Sequence, residues 1–220
     1  MFKSTPVIDE AELDTYPSGD GQPMAETQIH VRAIMLLHQA LEDFFKDQPD
    51  VMIASDIFWY WERGNRKARI SPDVMVIPGI QRQDIYENRS YFSWVERITP
   101  AVVFEMASRK TWKNDLGPKF QKYEKLGVKE YFIFDPEFQF LDDPLIGFRL
   151  RGKKYQPIPF DRMESRLGFR LEKDGYMIRL IDTETGEPVL TRREAIEAER
   201  QRADELAAEV ERLKKQLGRS

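Results

Sequence analysis

Glu105 interrupts an apolar run, standing between Ala101-Val102-Val103-Phe104 and Met106-Ala107. A carboxylate inside a buried strand is costly unless it is paired, protonated or bound to a metal. The alternative is a glutamate at a strand end, paired with a nearby lysine. Asp73 follows Pro72 and opens the run Val74-Met75-Val76-Ile77. Pro-Asp by itself also reads as a turn. In combination, two carboxylates lie on consecutive candidate core strands, each beside an apolar run. If those strands are neighbours, both carboxylates point at one hard cation. Mg²⁺ takes such a set, one or two carboxylates completed by water and phosphate, and Mn²⁺ accepts similar oxygen donors. Hydrolysis of a phosphodiester also calls for a positive group to activate water or to stabilise charge on the phosphate. Lys119 is the candidate, expected in the first turn of the helix that follows the Glu105 strand. A cation there opposes the helix dipole, so stability alone does not favour it. The competing role is an i,i+4 pair with Asp115 on a solvated face.

The elements that must hold these groups follow from periodicity. Ile29, Ala33, Leu36, Leu37, Ala40, Leu41 and Phe44 form one stripe of a helix over 27–46, with Thr27 as N-cap and Pro49 beyond its end. Residues 51–61, VMIASDIFWYW, have strand composition. The segment ERGNRKAR, with Gly64-Asn65, reads as a hairpin loop, and ISPDVMVI as a short strand closed by Pro78-Gly79. Residues 80–99 read as a loop with a helical turn. PAVVFEMAS is continuously apolar, as fully buried strands are. Asp115 is expected to cap a helix that places Pro118 in its first turn and stops at Gly127. The strand VKEYFIFD follows, then hairpins turning at Arg151-Gly152 and Asp174-Gly175. The order is helix, three strands, helix, strand and a β-rich extension.

From about Thr191 the pattern is a heptad. Ile196, Ala203, Val210 and Leu217 share one position, and Glu199, Leu206 and Leu213 share the other. The expectation is a coiled-coil seam and a homodimer; a single solvated helix is the alternative. The organisation expected is an arm over 1–23, a domain over 24–190 and a heptad helix over 191–220.

Composition excludes several chemistries. The 220 residues are 41% hydrophobic and 33% charged, a globular mix. With no cysteine there is no disulfide, thiol nucleophile or thiolate zinc site. His30 and His38 are the only histidines, so a three-histidine metal site is impossible. Ser108 lacks a G-x-S-x-G elbow, which leaves a serine hydrolase weakly supported. His30 reads as structural. Trp59, Tyr60 and Trp61 could stack bases, although their alternation fits packing against a sheet better. No apolar segment suggests a signal peptide or a membrane span, so a cytoplasmic, membrane-free protein is expected. Net charge is −4, unlike a typical nucleic-acid binder. Locally, however, residues 105–130 carry seven basic and four acidic side chains, and Arg63, Arg66, Lys67 and Arg69 form a second basic group.

Ser71-Pro72-Asp73, the strand VVFEMASRKT, the series Asp115…Lys119…Tyr123 and the phrase LGVKEYFIFDP together resemble the Uma-type endonuclease family. That family lies within the PD-(D/E)XK, or restriction-endonuclease-like, superfamily. The resemblance spans Glu26 to Arg179 and is most specific over 101–136. It implies an α/β (α+β) fold, a mixed sheet flanked by helices, in the order α-β-β-β-α-β. It implies that Asp73 and Glu105 bind Mg²⁺, with the Met106 carbonyl as a further ligand. The superfamily's lysine two residues after the glutamate is missing, since position 107 is alanine. The resemblance implies that the following helix supplies it as Lys119, with Lys110 as a rival. The resulting expectation is a Mg²⁺- or Mn²⁺-dependent endonuclease acting on DNA, in which Asp73, Glu105 and Lys119 are catalytic. Replacing Lys119 should then abolish cleavage and leave folding intact. The alternative is a catalytically inactive nuclease-like module that binds or assembles through its tail.

Overall fold

The computed structural model describes residues 15–16, 27–80 and 90–217. Helix α1, Gln28–Phe44, starts where Thr27 accepts a hydrogen bond from the His30 amide, and it buries Ala33, Leu37 and Leu41. Strand β1, Val51–Ser55, follows. The strand expected over 51–61 breaks at Asp56, which adopts φ 51°. Aspartate tolerates this left-handed geometry better than most residues. The break frees β2, Phe58–Tyr60, to leave the main sheet and pair with β3, Arg69–Ile70, across the expected hairpin loop. Next come β4, Val74–Pro78, then β5, Ser90–Phe92, the short helix α2, Ser93–Glu96, and β6, Val102–Met106. The loop expected from residue 80 lies outside the described residues over 81–89. So does the arm over 1–23, apart from Thr15 and Tyr16.

A helical run opens with α3, Trp112–Asn114, widens into a π-turn over Asp115–Lys119 and continues as α4, Phe120–Leu126. This corrects the expected start: Asp115 is not a cap, and Pro118 is not in a first turn. Thr111 precedes the run, and the Asp115 amide already donates to its carbonyl at 2.9 Å. The proline ring would crowd the carbonyl four residues back in a regular α-helix, and the wider π-turn accommodates it. Gly127, at φ 85°, ends the run as expected.

Strand β7, Glu130–Phe134, and the hairpin of β8, Leu145–Arg151, with β9, Lys154–Ile158, complete a six-stranded sheet in the order β1-β4-β6-β7-β8-β9. The sheet is mixed, because β6 and β7 run parallel and the other pairs antiparallel. A second hairpin, β10, Phe169–Asp174, with β11, Met177–Asp182, packs with α1 on one face. Helix α5, Arg192–Leu217, ends the described chain.

Side-chain alternation along β6 divides the core. Val102, Phe104 and Met106 join the layer under α1, while Val103 and Ala107 join the layer that contains Tyr123 of α4. Glu105 shares the second face.

Candidate active site

β4 and β6 pair with Met75 opposite Val103 and Val74 opposite Phe104. One step further along this register sets Asp73 opposite Glu105, on the face toward α4. The Met106 amide donates to Asp73 Oδ2 at 2.6 Å, which ties the residue before β4 to the end of β6. The two carboxylates predicted to act together are therefore cross-strand neighbours on one face. Only the backbone of Met106 reaches this region, because its side chain is buried in the layer under α1.

Glu105 is fully buried. Its Oε2 accepts from Lys119 Nζ at 2.7 Å and its Oε1 from the Tyr123 hydroxyl at 2.6 Å. Lys119 Nζ also lies 3.1 Å from Asp115 Oδ1, making one ammonium the shared partner of two buried carboxylates. Lys119 departs from expectation in its place: it sits inside the helical run, and its side chain is 15% exposed. The helix dipole therefore does not explain it; the two carboxylates do. Its pairing with Asp115 is real but buried, on no solvated face.

Asp115, Lys119 and Tyr123 recur every four residues, which puts them on one helical stripe. That spacing was legible in the sequence, and it is the signal for Tyr123 and Asp115, which the residue-type reading did not assign to the site. Trp59 stacks parallel to Tyr123 at 6.3 Å, and Tyr131 lies 5.0 Å from it. This aromatic wall fixes the hydroxyl that holds Glu105.

Burial is the main reason that the Glu105 carboxyl is pushed up to about 7; Lys119 opposes the shift and Asp73 adds to it. Burial likewise raises Asp115 to about 6, against Lys119 and with Glu105. Burial disfavours the Lys119 ammonium, but Glu105 and Asp115 outweigh it and hold the amine well above its ordinary value. Burial, then Glu105, pushes the Tyr123 hydroxyl up.

The remaining candidates lie elsewhere. Lys110 is exposed on the loop after β6. Ser108 turns toward Thr111, its Oγ 2.9 Å from the threonine Oγ1. His30 is buried on α1, which packs on the opposite face of the sheet, and His38 Nδ1 lies 2.7 Å from Ser55 Oγ. Trp59 and Tyr60 are fully buried, so base stacking by them is ruled out. Trp61 is half-buried, with Lys122 Nζ 5.3 Å from its ring. Among the described residues no three acidic, histidine or cysteine side chains group as metal ligands. A divalent cation here would rest on Asp73, Glu105 and the Met106 carbonyl, all hard oxygen donors suited to Mg²⁺.

A mixed sheet with flanking helices defines an α+β fold, on which two carboxylates from adjacent strands meet a lysine from the next helix. The family Uma2, described as "Putative restriction endonuclease", matches residues 12–174. The chain belongs to that family. Among solved structures, it is similar to one described as a "putative nuclease belonging to DUF820" from Anabaena variabilis ATCC 29413. The two share 14% identity with a TM-score of 0.45, over 67% of this chain and 77% of the other. No curated protein matches. Among the described residues no helix is long and apolar enough to cross a membrane.

Proposed function

We propose that this chain is a Mg²⁺- or Mn²⁺-dependent endonuclease that hydrolyses phosphodiester bonds in DNA. The observation that carries the reading is the convergence of Asp73, Glu105 and Lys119 at the paired ends of β4 and β6. Asp73, Glu105 and the Met106 carbonyl would hold the metal, which would polarise the phosphate and lower the pKa of a bound water. Lys119 stays an ammonium, so it does not take the water's proton. Its roles are to orient Glu105 and to oppose charge that develops on the phosphate. Holding the metal requires Glu105 as its carboxylate, so a bound cation would bring down the carboxyl that burial raises in the metal-free chain.

Surface charge supports a polyanionic substrate more strongly than the bare sequence count. Within 105–130 the acidic Glu105, Asp115 and Glu130 are buried. Arg109, Lys110, Lys113, Lys122, Lys125 and Lys129 are exposed, with only the half-buried Glu124 against them. Arg63, Arg66 and Lys67 add exposed charge on the β2–β3 loop. Such groups grip phosphates without reading sequence.

A second reading, a nuclease-fold module without catalysis, draws on the closure of Glu105, whose two oxygens already hold Lys119 and Tyr123. Plasmid and oligonucleotide cleavage with Mg²⁺, Mn²⁺ or chelator, beside calorimetric titration of Mn²⁺, separates the two. Catalysis predicts metal-dependent cleavage that Asp73→Asn abolishes, together with loss of Mn²⁺ binding. Wild-type protein that binds no Mn²⁺ and cuts nothing supports the second reading.

A further inference from the structure

Helix α5 carries an apolar stripe that none of the described residues covers. From Glu199 to Leu217 every residue is exposed, and Ile196, Leu206, Val210, Leu213 and Leu217 are 46–77% exposed. The start of the helix, in contrast, is fastened. Thr191 and Glu194 form a reciprocal cap, with the Thr191 amide and hydroxyl both donating to Glu194 Oε2 at 2.8 Å. Arg179 of β11 donates to both Glu194 oxygens, at 2.7 and 2.9 Å. The helix therefore leaves its own core at a set point and carries its stripe away from it.

We infer that the stripe pairs with the same helix of a second copy, and that the two helices run parallel. Two features of the residues set the occupant and the direction. The first is the kind of side chain at each seam position. Ile196 and Val210 are β-branched at one position, and Leu206 and Leu213 occupy the other. Within a parallel pair, β-branched residues at the one position and leucine at the other favour two strands over three or four. The second is flanking charge. In a parallel pair Glu209 of one copy faces Lys214 of the other, twice by symmetry. Those side chains now make local pairs with Arg212, at 2.6 Å, and Glu211, at 3.0 Å, which they would exchange.

An antiparallel pair with Ile196 opposite Leu213 sets Arg202 against Glu209, but its other contacts are worse. It leaves Leu217 facing Arg192 and sets Arg193 against Lys214. The parallel arrangement has one cost, Glu199 opposite Glu199. That layer lies at the end nearest the two cores, where each helix is held by its own Arg179. Close pairing therefore begins at Ala203 and continues through Leu206, Val210, Leu213 and Leu217. Both cores emerge from the same end of the coil. The inference is independent of phosphodiester chemistry and stands whether or not the site is catalytic.

The absence of cysteine makes the test direct. In a parallel pair the two Val210 positions meet, so Val210→Cys should form a disulfide-linked dimer under mild oxidation. In the antiparallel register those positions lie about 16 Å apart, too far for a disulfide. There, Val210→Cys would link only to Glu199→Cys, in a mixture of the two proteins. Sedimentation equilibrium should give a dimer for the cysteine-free chain and a monomer for Leu206→Glu/Leu213→Glu, with the core's circular dichroism unchanged. A monomeric cysteine-free chain at micromolar concentration, crosslinking only in the mixture, or a dimer that survives the double substitution would each overturn the inference.

Discussion

Two carboxylates share one ammonium at the centre of the site, and this changes what a substitution there does. Lys119→Ala leaves Glu105 and Asp115 buried without their counter-charge. Breaking a buried pair in this way costs about 3–5 kcal/mol. The expected outcome is loss of stability as well as activity, read by urea denaturation, contrary to the sequence-based expectation of intact folding. The raised carboxyls also set a pH dependence. Their folded values, about 7 for Glu105 and about 6 for Asp115, exceed the ordinary 4.5 and 3.8. Protonation is therefore favoured in the folded state, and its stabilising contribution is present below the ordinary values. It is lost as pH rises through 6 to 7. Thermal midpoints should fall between pH 5 and 8, and Glu105→Gln, which cannot ionise, should flatten that fall. A Glu105→Gln profile parallel to wild type would show that the dependence arises elsewhere.

The elements around the site are held by close packing as well as by charged pairs such as Arg149–Glu130 between β8 and β7. Strand β8 crosses Phe132 at Gly147. A β-carbon added at that glycine would stand 2.8 Å from Met163 Sδ and from two Phe132 ring carbons. Phe132 belongs to β7, the parallel neighbour of β6. Gly147→Ala should therefore cost about 1–3 kcal/mol from overpacking, measured by denaturant titration. Gly152, in the β8–β9 turn, has open space around its added β-carbon, so its packing exerts no comparable pressure. Any cost of substitution there comes from φ 60°. A Gly147→Ala protein as stable as wild type would mean that β7 and β8 yield more freely than this contact implies.

At the scale of the whole molecule, α5 contributes almost nothing to its own core. It buries no residue, and its anchorage is the Thr191–Glu194–Arg179 cluster. Val189 still belongs to the core, where its amide donates to Leu180 at 2.8 Å. A chain ending after Thr191 is therefore expected to keep the thermal midpoint of the core within a few degrees while losing self-association. Calorimetry beside sedimentation equilibrium reads both. A collapse of the midpoint would mean that the helix supports the core of its own chain.

Local chemistry made much of this legible without a structure. Helix α1 follows from its stripe, β6 and β7 from continuous apolarity, and the hairpins from Gly64-Asn65, Arg151-Gly152 and Asp174-Gly175. Asp73 and Glu105 stood out as carboxylates where an apolar residue would cost less, whereas the dipole argument for Lys119 fails because it sits inside the helical run. Burial and register were not legible. The sequence alone does not tell whether Asp115 caps a helix in water or lies under it. The difference comes from Pro118 and the π-turn, which shift the helical run so that Asp115 and Lys119 both face Glu105. Nor does it tell that Trp59 stacks on Tyr123 while Trp61 stays half-buried, since that depends on the break at Asp56. Side-chain type is a local property, whereas the partner of a buried charge is decided by strands far apart in the chain. Only the antiparallel pairing of β4 with β6 brought Asp73 to Glu105.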